Sequence, residues 1–129
     1  MANTGNLKSP LTIRKMPFEF TNDIQPCWNA SRPEWSYMVN GASLAMPYLE
    51  PYLVRTMKEA LTKIKDPKIA HEIKDYIGQE AQHYQQHRKF NDILKISYKE
   101  LESLEKQMLE DYSHFEQNKG LKFNLAYAA

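Results

Sequence analysis

Apolar residues recur at three- and four-residue intervals through most of this chain, and that period predicts helices. From near Ser43 to Pro47 and on to about Lys65 the apolar row is Met46, Leu53, Val54, Met57, Leu61 and Ile64, with Pro47 placed in the first turn. Asp66-Pro67 then reads as a break and a restart, because Asp can cap the next helix and Pro supplies a preset φ at its first position. The second helix extends to about Asn91 or Leu94. Ser97 followed by Glu100 reads as a capping box for a third helix, carried by Leu101, Leu104, Met108, Tyr112 and Phe115. Asn118-Lys119-Gly120 closes it with a glycine past the helix end, and Leu121 to Ala129 opens a fourth.

Residues 1–42 break this pattern. They carry Pro10, Pro17, Pro26 and Pro33 with Phe18, Phe20, Trp28, Trp35 and Tyr37, and no sustained helical period. The expectation is an irregular aromatic arm over 1–42 and a helical domain over 43–129. So many aromatics left free would make a sticky surface, so the arm is expected to lie across the helices as packing. Short helix-to-helix connections favour antiparallel neighbours, which makes the fold all-α, a helical bundle.

Composition narrows the function. With 42% hydrophobic and 26% charged residues the chain suits one modest core. Seventeen Lys and Arg against sixteen Asp and Glu leave a net charge of +1, too little to attract nucleic acid or an anionic membrane surface. No apolar run approaches the ~20 residues that span a bilayer. Met1 to Pro10 lacks the order of a signal peptide, so a cytoplasmic protein is expected. The single cysteine, Cys27, cannot form an internal disulfide or a zinc knuckle and reads as a buried or half-buried thiol.

The chemistry concentrates in Gly78 to His87, GQEAQHYQQH, where Glu80, His83 and His87 stand at offsets of three and four. At about 100° per residue they share one helix face. Ile69, Ile73, Tyr76, Ile77, Tyr84 and Leu94 lie on the same stripe, so a carboxylate and two imidazoles point where the core should be. Charged groups are rarely buried without compensation, and a metal ion would compensate all three. Glu50 repeats the anomaly on the first helix, interrupting the line of Met46, Leu53, Val54, Met57 and Leu61. Two antiparallel helices, one giving Glu and the other Glu-x-x-His, make half of the carboxylate di-metal site of ferritin-like bundles. Carboxylates with imidazoles suit iron, manganese or zinc. The competing reading is a hydrogen-bonded polar core in which Glu50 pairs with a histidine or Tyr84. His71 and His114 fall off the apolar stripes and are expected in solvent, as is Glu105 at the edge of the third helix. There is no glycine-rich phosphate loop, no G-x-S-x-G elbow and no histidine adjacent to Cys27. With Glu50, Glu80, His83 and His87 committed as ligands, no protein general base or organic cofactor site is assigned.

Met46-Pro47-Tyr48-Leu49-Glu50, the Asp66-Pro67 junction, and Tyr76-Ile-Gly-Gln-Glu-Ala-Gln-His-x-x-x-His87 followed by Phe90-Asn91 resemble the predicted metal-dependent hydrolase family of bacteria. The resemblance covers about residues 40 to 129. It implies a ferritin-like helical protein with Glu50, Glu80, His83 and His87 as metal ligands. It also implies a longer protein, in which later helices carry a second set of Glu and His ligands, so this chain reads as an N-terminal half.

The leading expectation is therefore a metal-dependent enzyme acting on a small molecule. A non-catalytic metal-binding or structural helical module, and an oxygen-activating di-iron oxidoreductase, are the alternatives. An incompletely covered stripe at Met57, Leu61, Ile73 and Ile77 predicts a two-fold homodimer or aggregation.

Overall fold

A computed structural model of the chain describes residues 11–128; the start of the arm and Ala129 lie outside the described residues. Among the described residues there are four α-helices and no strand: α1 Pro33–Leu61, α2 Pro67–Ser97, α3 Leu101–Asn118 and α4 Leu121–Ala128. The all-α bundle expected from the periodicity is present. α1 is its hub, packing against α2, α3 and α4. α2 runs antiparallel to α1, since Glu50 meets His83 while the earlier Ser43 meets the later His87.

The first helix begins at Pro33, not near Ser43, so the irregular arm is shorter than expected and Pro47 is not in a first turn. The reason is an inverted pattern. Ser36, Asn40, Ser43, Pro47 and Glu50 are the buried positions at three- and four-residue spacing, while Trp35, Tyr37 and Met38 are exposed. A search for apolar periodicity passes over a helix whose inward stripe is polar. Pro33 itself sits at the start, where a missing N–H has no helical partner to lose.

Pro47 and Pro51 both lie inside α1. A proline there withdraws the amide that would bond the carbonyl four residues back, so Pro47 leaves the carbonyl of Ser43 without its helical donor. The consequence appears in the site below.

At the α1–α2 junction the sequence reading holds: the Asp66 carboxylate accepts from the amides of Lys68, at 2.8 Å, and Ile69, at 3.3 Å. The glycine past the end of the third helix holds too, with α3 ending at Asn118 and α4 starting at Leu121, but the capping-box signal does not. α2 continues through Ser97, which therefore caps nothing, and α3 starts after a turn at Tyr98–Glu100 with no side-chain cap. The backbone closes that turn itself, through bonds such as Leu101 N–H to the Tyr98 carbonyl at 3.2 Å. Gly120 separates α3 from α4 without taking a positive φ.

The apolar core comprises Leu44, Tyr52, Leu53, Ala60, Ile93 and Leu94. Tyr52 is fully buried among Tyr112, Phe115 and Tyr127, with ring centroids 5.2, 6.4 and 6.1 Å away, and its hydroxyl donates to Asn124 Oδ1 at 2.9 Å. Burial pushes the neighbouring Tyr112 phenol up to about 12. The N-terminal half of α2 is less enclosed than its apolar row suggests, because α1 is the one helix that packs extensively on it; Ile69 and Tyr76 remain partly exposed. Glu105, expected in solvent, is instead buried and takes an ion pair from Lys95 at 3.0 Å, which ties α3 to α2.

The arm crosses the α1–α2 pair. Phe20 packs on Phe90 at 5.6 Å between centroids, Ile13 sits on Gly78, and the Arg14 amide donates to Gln79 Oε1 at 3.2 Å. Its inner end is pinned by Asn40, which accepts from Trp28 Nε1 at 3.0 Å and donates to the Pro26 carbonyl at 2.8 Å. Cys27 is half-buried. Among the described residues no helix is long and apolar enough to cross a membrane.

Candidate metal centre

α1 and α2 bring all four sequence-selected residues to one place. Glu50 Oε1 lies 2.9 Å from His83 Nδ1, and Glu80 Oε2 lies 3.6 Å from the same nitrogen. On the other edge of that ring, His83 Nε2 is 2.9 Å from His87 Nε2. One donor atom each from Glu50, His83 and His87 falls within 4.8 Å of the others, a spacing that could hold a metal ion. His83 is thus the link between a carboxylate half and an imidazole half.

Helical geometry alone produces the α2 part, since offsets of three and four stack the residues on one face. Glu50 enters from the polar stripe of α1. Its side chain is 5% exposed, and its Oε2 is a buried oxygen with no hydrogen-bond partner. A buried carboxylate oxygen left unpaired is costly. Burial first, and the charge of Glu80 second, push the Glu50 carboxyl up to about 8. The neighbouring Tyr76 phenol is also raised, by burial and then by Glu80.

His87 is held by residues that sequence reasoning did not select. Asn91 Nδ2 donates to the Ser43 carbonyl at 3.0 Å, the carbonyl that Pro47 leaves free. With its amide so oriented, Asn91 presents Oδ1 to Ser43 Oγ at 2.8 Å, and the Ser43 hydroxyl donates to it. Ser43 has one proton to give. Its oxygen must therefore accept from His87 Nδ1, 2.8 Å away, which puts the proton on Nδ1 and the lone pair on Nε2. That lone pair faces the cluster. Ser43 and Asn91 are 2% and 1% exposed, so water does not compete for these bonds. The signal for them was present: Ser43 lies four residues before Pro47, and Asn91 four after His87.

Without a cation the network closes on protons. His83 bridges Glu50 Oε1 through Nδ1 and His87 Nε2 through Nε2, each at 2.9 Å. Burial, and then His83, lower the His87 pKa.

A family model described as predicted metal-dependent hydrolase matches residues 12–129. The chain belongs to this family. No curated protein and no solved structure matches it. The match takes in α1 and α2 together with the arm that crosses them, so the whole cluster lies within the family region. His71 and His114 stand outside the cluster. His71 pairs with Asp75 at 3.4 Å, and His114 is exposed and takes a bond from Asn118 at 3.2 Å. Tyr84 is not a partner of Glu50; Arg88 lies over its ring, 5.8 Å from the centroid.

Proposed function

We propose that this protein is a metal-dependent enzyme of the hydrolase type, with a divalent iron, manganese or zinc ion held by Glu50, Glu80, His83 and His87. The observation that carries the reading is the orphaned Glu50 Oε2, buried beside a second carboxylate and two imidazoles. A cation satisfies both carboxylates, and it takes the lone pair that Ser43 and Asn91 aim from His87 Nε2. Such an ion supplies Lewis acidity, polarising a carbonyl or phosphoryl oxygen and making water a stronger nucleophile at neutral pH.

The residues around it have separate tasks. Glu50 and Glu80 supply charge, His83 joins the two halves, and Ser43 with Asn91 keeps His87 in one tautomer. His83 is about half exposed, its side chain at 49%, which leaves the cluster open to a reactant from one side. That openness supports an enzyme over a closed structural site, since structural zinc is fully enclosed by protein ligands.

Glu50→Gln separates this reading from a metal-free polar core. Gln keeps the size and can still hydrogen-bond His83, so a polar core tolerates it with no effect on metal content. The metal reading expects Glu50→Gln, Glu80→Ala and His83→Ala to lose most bound metal by elemental analysis, and His71→Ala and His114→Ala to retain it. Full metal content in the inward variants would refute it.

The Glu and Glu-x-x-His arrangement on antiparallel helices also favours a second reading, a ferritin-like half-site for paired iron with oxygen-activating chemistry. Metal identity and stoichiometry distinguish the two. In either case we place the protein in the cytoplasm, acting on a small molecule rather than on nucleic acid or membrane. We further propose a homodimer in which each copy brings Glu50, Glu80 and His83 to a joint site. The stripe of Met57, Leu61, Ile73 and Ile77 is only half-buried, and Ile69 and Tyr76 are exposed on α2, which supports it. Light scattering with metal stoichiometry tests this, and a stable monomer holding two ions per chain would refute it.

A further inference from the structure

Beside the imidazoles, between the arm and the α1–α2 pair, lies a cavity of about 430 Å³, within the ~300–1,000 Å³ range of small-molecule sites. His83 and His87 line one part of it. Met16, Phe18, Phe20, Trp28, Val39 and Phe90 line most of the rest. The arm supplies the first four and the helices the other two, so the space exists only because the arm lies across α1 and α2.

The wall chemistry selects the occupant. Among the described residues no acidic one lines the cavity, so nothing there neutralises a positive charge; Arg14 is the sole charged lining group among them, and the remaining polar ones are glutamines, Ser43 and the two histidines. Aromatic and aliphatic walls favour an apolar body, because such surface gains by leaving water. The gradient from apolar walls to imidazoles gives that body a direction. A peptide strand would find no exposed sheet edge here, and the described helices are closed by their own hydrogen bonds.

We propose that the cavity under the arm binds the substrate's apolar part: a small molecule without positive charge, with an aromatic or branched alkyl body, its polar group turned toward His83 and His87. Its role in turnover rests on the metal-dependent reading above. The binding itself does not, and so the two can be tested separately.

The probe is 2-naphthamide, titrated into the full 129-residue chain stripped of metal, with acetamide as the control lacking the apolar body. Binding is read by calorimetry and by the NMR resonances of Val39, Phe90 and His87. We expect 2-naphthamide to bind and shift these resonances, and acetamide at the same concentration to do neither. Phe18→Ala with Phe20→Ala should weaken 2-naphthamide at least tenfold; both residues are on the arm, so the helices do not depend on them. Val39→Ser from the opposite wall should weaken it as well. Zinc uptake is measured separately on the same preparation, so the cavity and the metal reading succeed or fail independently. Unchanged affinity in the arm variant, equal binding of acetamide, or shifts confined to other helix faces would overturn the proposal. Probe binding in a chain that takes up no zinc would uphold the cavity as a site and refute the metal reading instead.

Discussion

Asn91 fills the hydrogen-bond place that Pro47 vacates. Its Nδ2 reaches the Ser43 carbonyl at 3.0 Å, where the amide of residue 47 would bond if that residue were not proline inside α1. Two features that look unrelated in sequence, a helix-interior proline and a buried asparagine on another helix, thus set the orientation of one amide. Through Ser43 that orientation fixes the tautomer of His87.

The first prediction follows from this relay. Partners that orient a ligating histidine are worth about 10–100-fold in metal affinity, so Asn91→Ala and Ser43→Ala should each weaken zinc binding by that order. Pro47→Ala restores an amide to compete with Asn91 for the Ser43 carbonyl, which can accept both, so a smaller loss is expected, under about tenfold. Zinc titrations on the three variants check the order. A Pro47→Ala effect larger than that of Asn91→Ala would show that the proline acts through helix shape and not through the amide.

This arrangement also shows what the sequence could and could not reveal. Glu50, Glu80, His83 and His87 were legible because each is a polar residue interrupting an apolar row, an anomaly visible in one dimension. Ser43 and Asn91 carry only their spacing from Pro47 and His87 as a mark, because each is a small polar residue without charge and their meaning depends on contacts between two helices. The same blindness hid the first turns of α1, where Ser36, Asn40 and Ser43 face inward. Asp66-Pro67 was read correctly, since a cap and its amides are sequence neighbours. The Ser97–Glu100 box does not form because Ser97 is still inside α2, so its side chain cannot cap α3.

The second prediction concerns pH in the metal-free protein. The Glu50 carboxyl is raised from 4.5 to about 8, so the folded state holds this proton more tightly than the unfolded chain does. Its contribution to stability is fully present below pH 4.5 and is lost as pH rises to about 8. His87 works in the opposite sense: its pKa is lowered, so its contribution is present above 6.5 and declines as pH falls below it. Glu80, His83 and Tyr76 face the same cluster and remain in both proteins when wild type is compared with Glu50→Gln. Urea midpoints with chelator present should therefore favour Glu50→Gln progressively from pH 5 to 8, with no such divergence once saturating zinc is added to the wild type. Parallel curves in chelator would contradict the buried protonated carboxyl.

The third prediction concerns Lys95 and Glu105. Their ion pair, at 3.0 Å, links α3 to α2, and Glu105 is only 9% exposed. Removing one partner of a buried pair leaves an uncompensated charge and costs about 3 kcal/mol. Lys95→Met should therefore destabilise the chain by roughly that amount, while Lys95→Met with Glu105→Leu should recover most of it. Denaturant unfolding of the two variants checks this, and equal loss in both would assign the stability to the packing of the lysine stem.

The last prediction concerns the arm and its seat on α2. A Cβ built on Gly78 would collide with the tip of Ile13, a side chain of the arm that is itself 49% exposed. Since the obstacle is the end of a flexible side chain and not backbone, the arm should give way before the helix does. Ala in place of Gly within a helix is worth up to about 1 kcal/mol, so Gly78→Ala should leave thermal stability equal or slightly higher. Displacing Ile13 also pulls on the next residue, whose amide bonds Gln79 at 3.2 Å. Trypsin should then cleave faster after Arg14 and Lys15, zinc affinity should stay within twofold, and 2-naphthamide should bind more weakly because the arm forms one wall of its cavity. A drop in stability with no change in cleavage would mean that the helix yields in place of the arm, and that Gly78 serves the packing of α2 and not the seating of the arm.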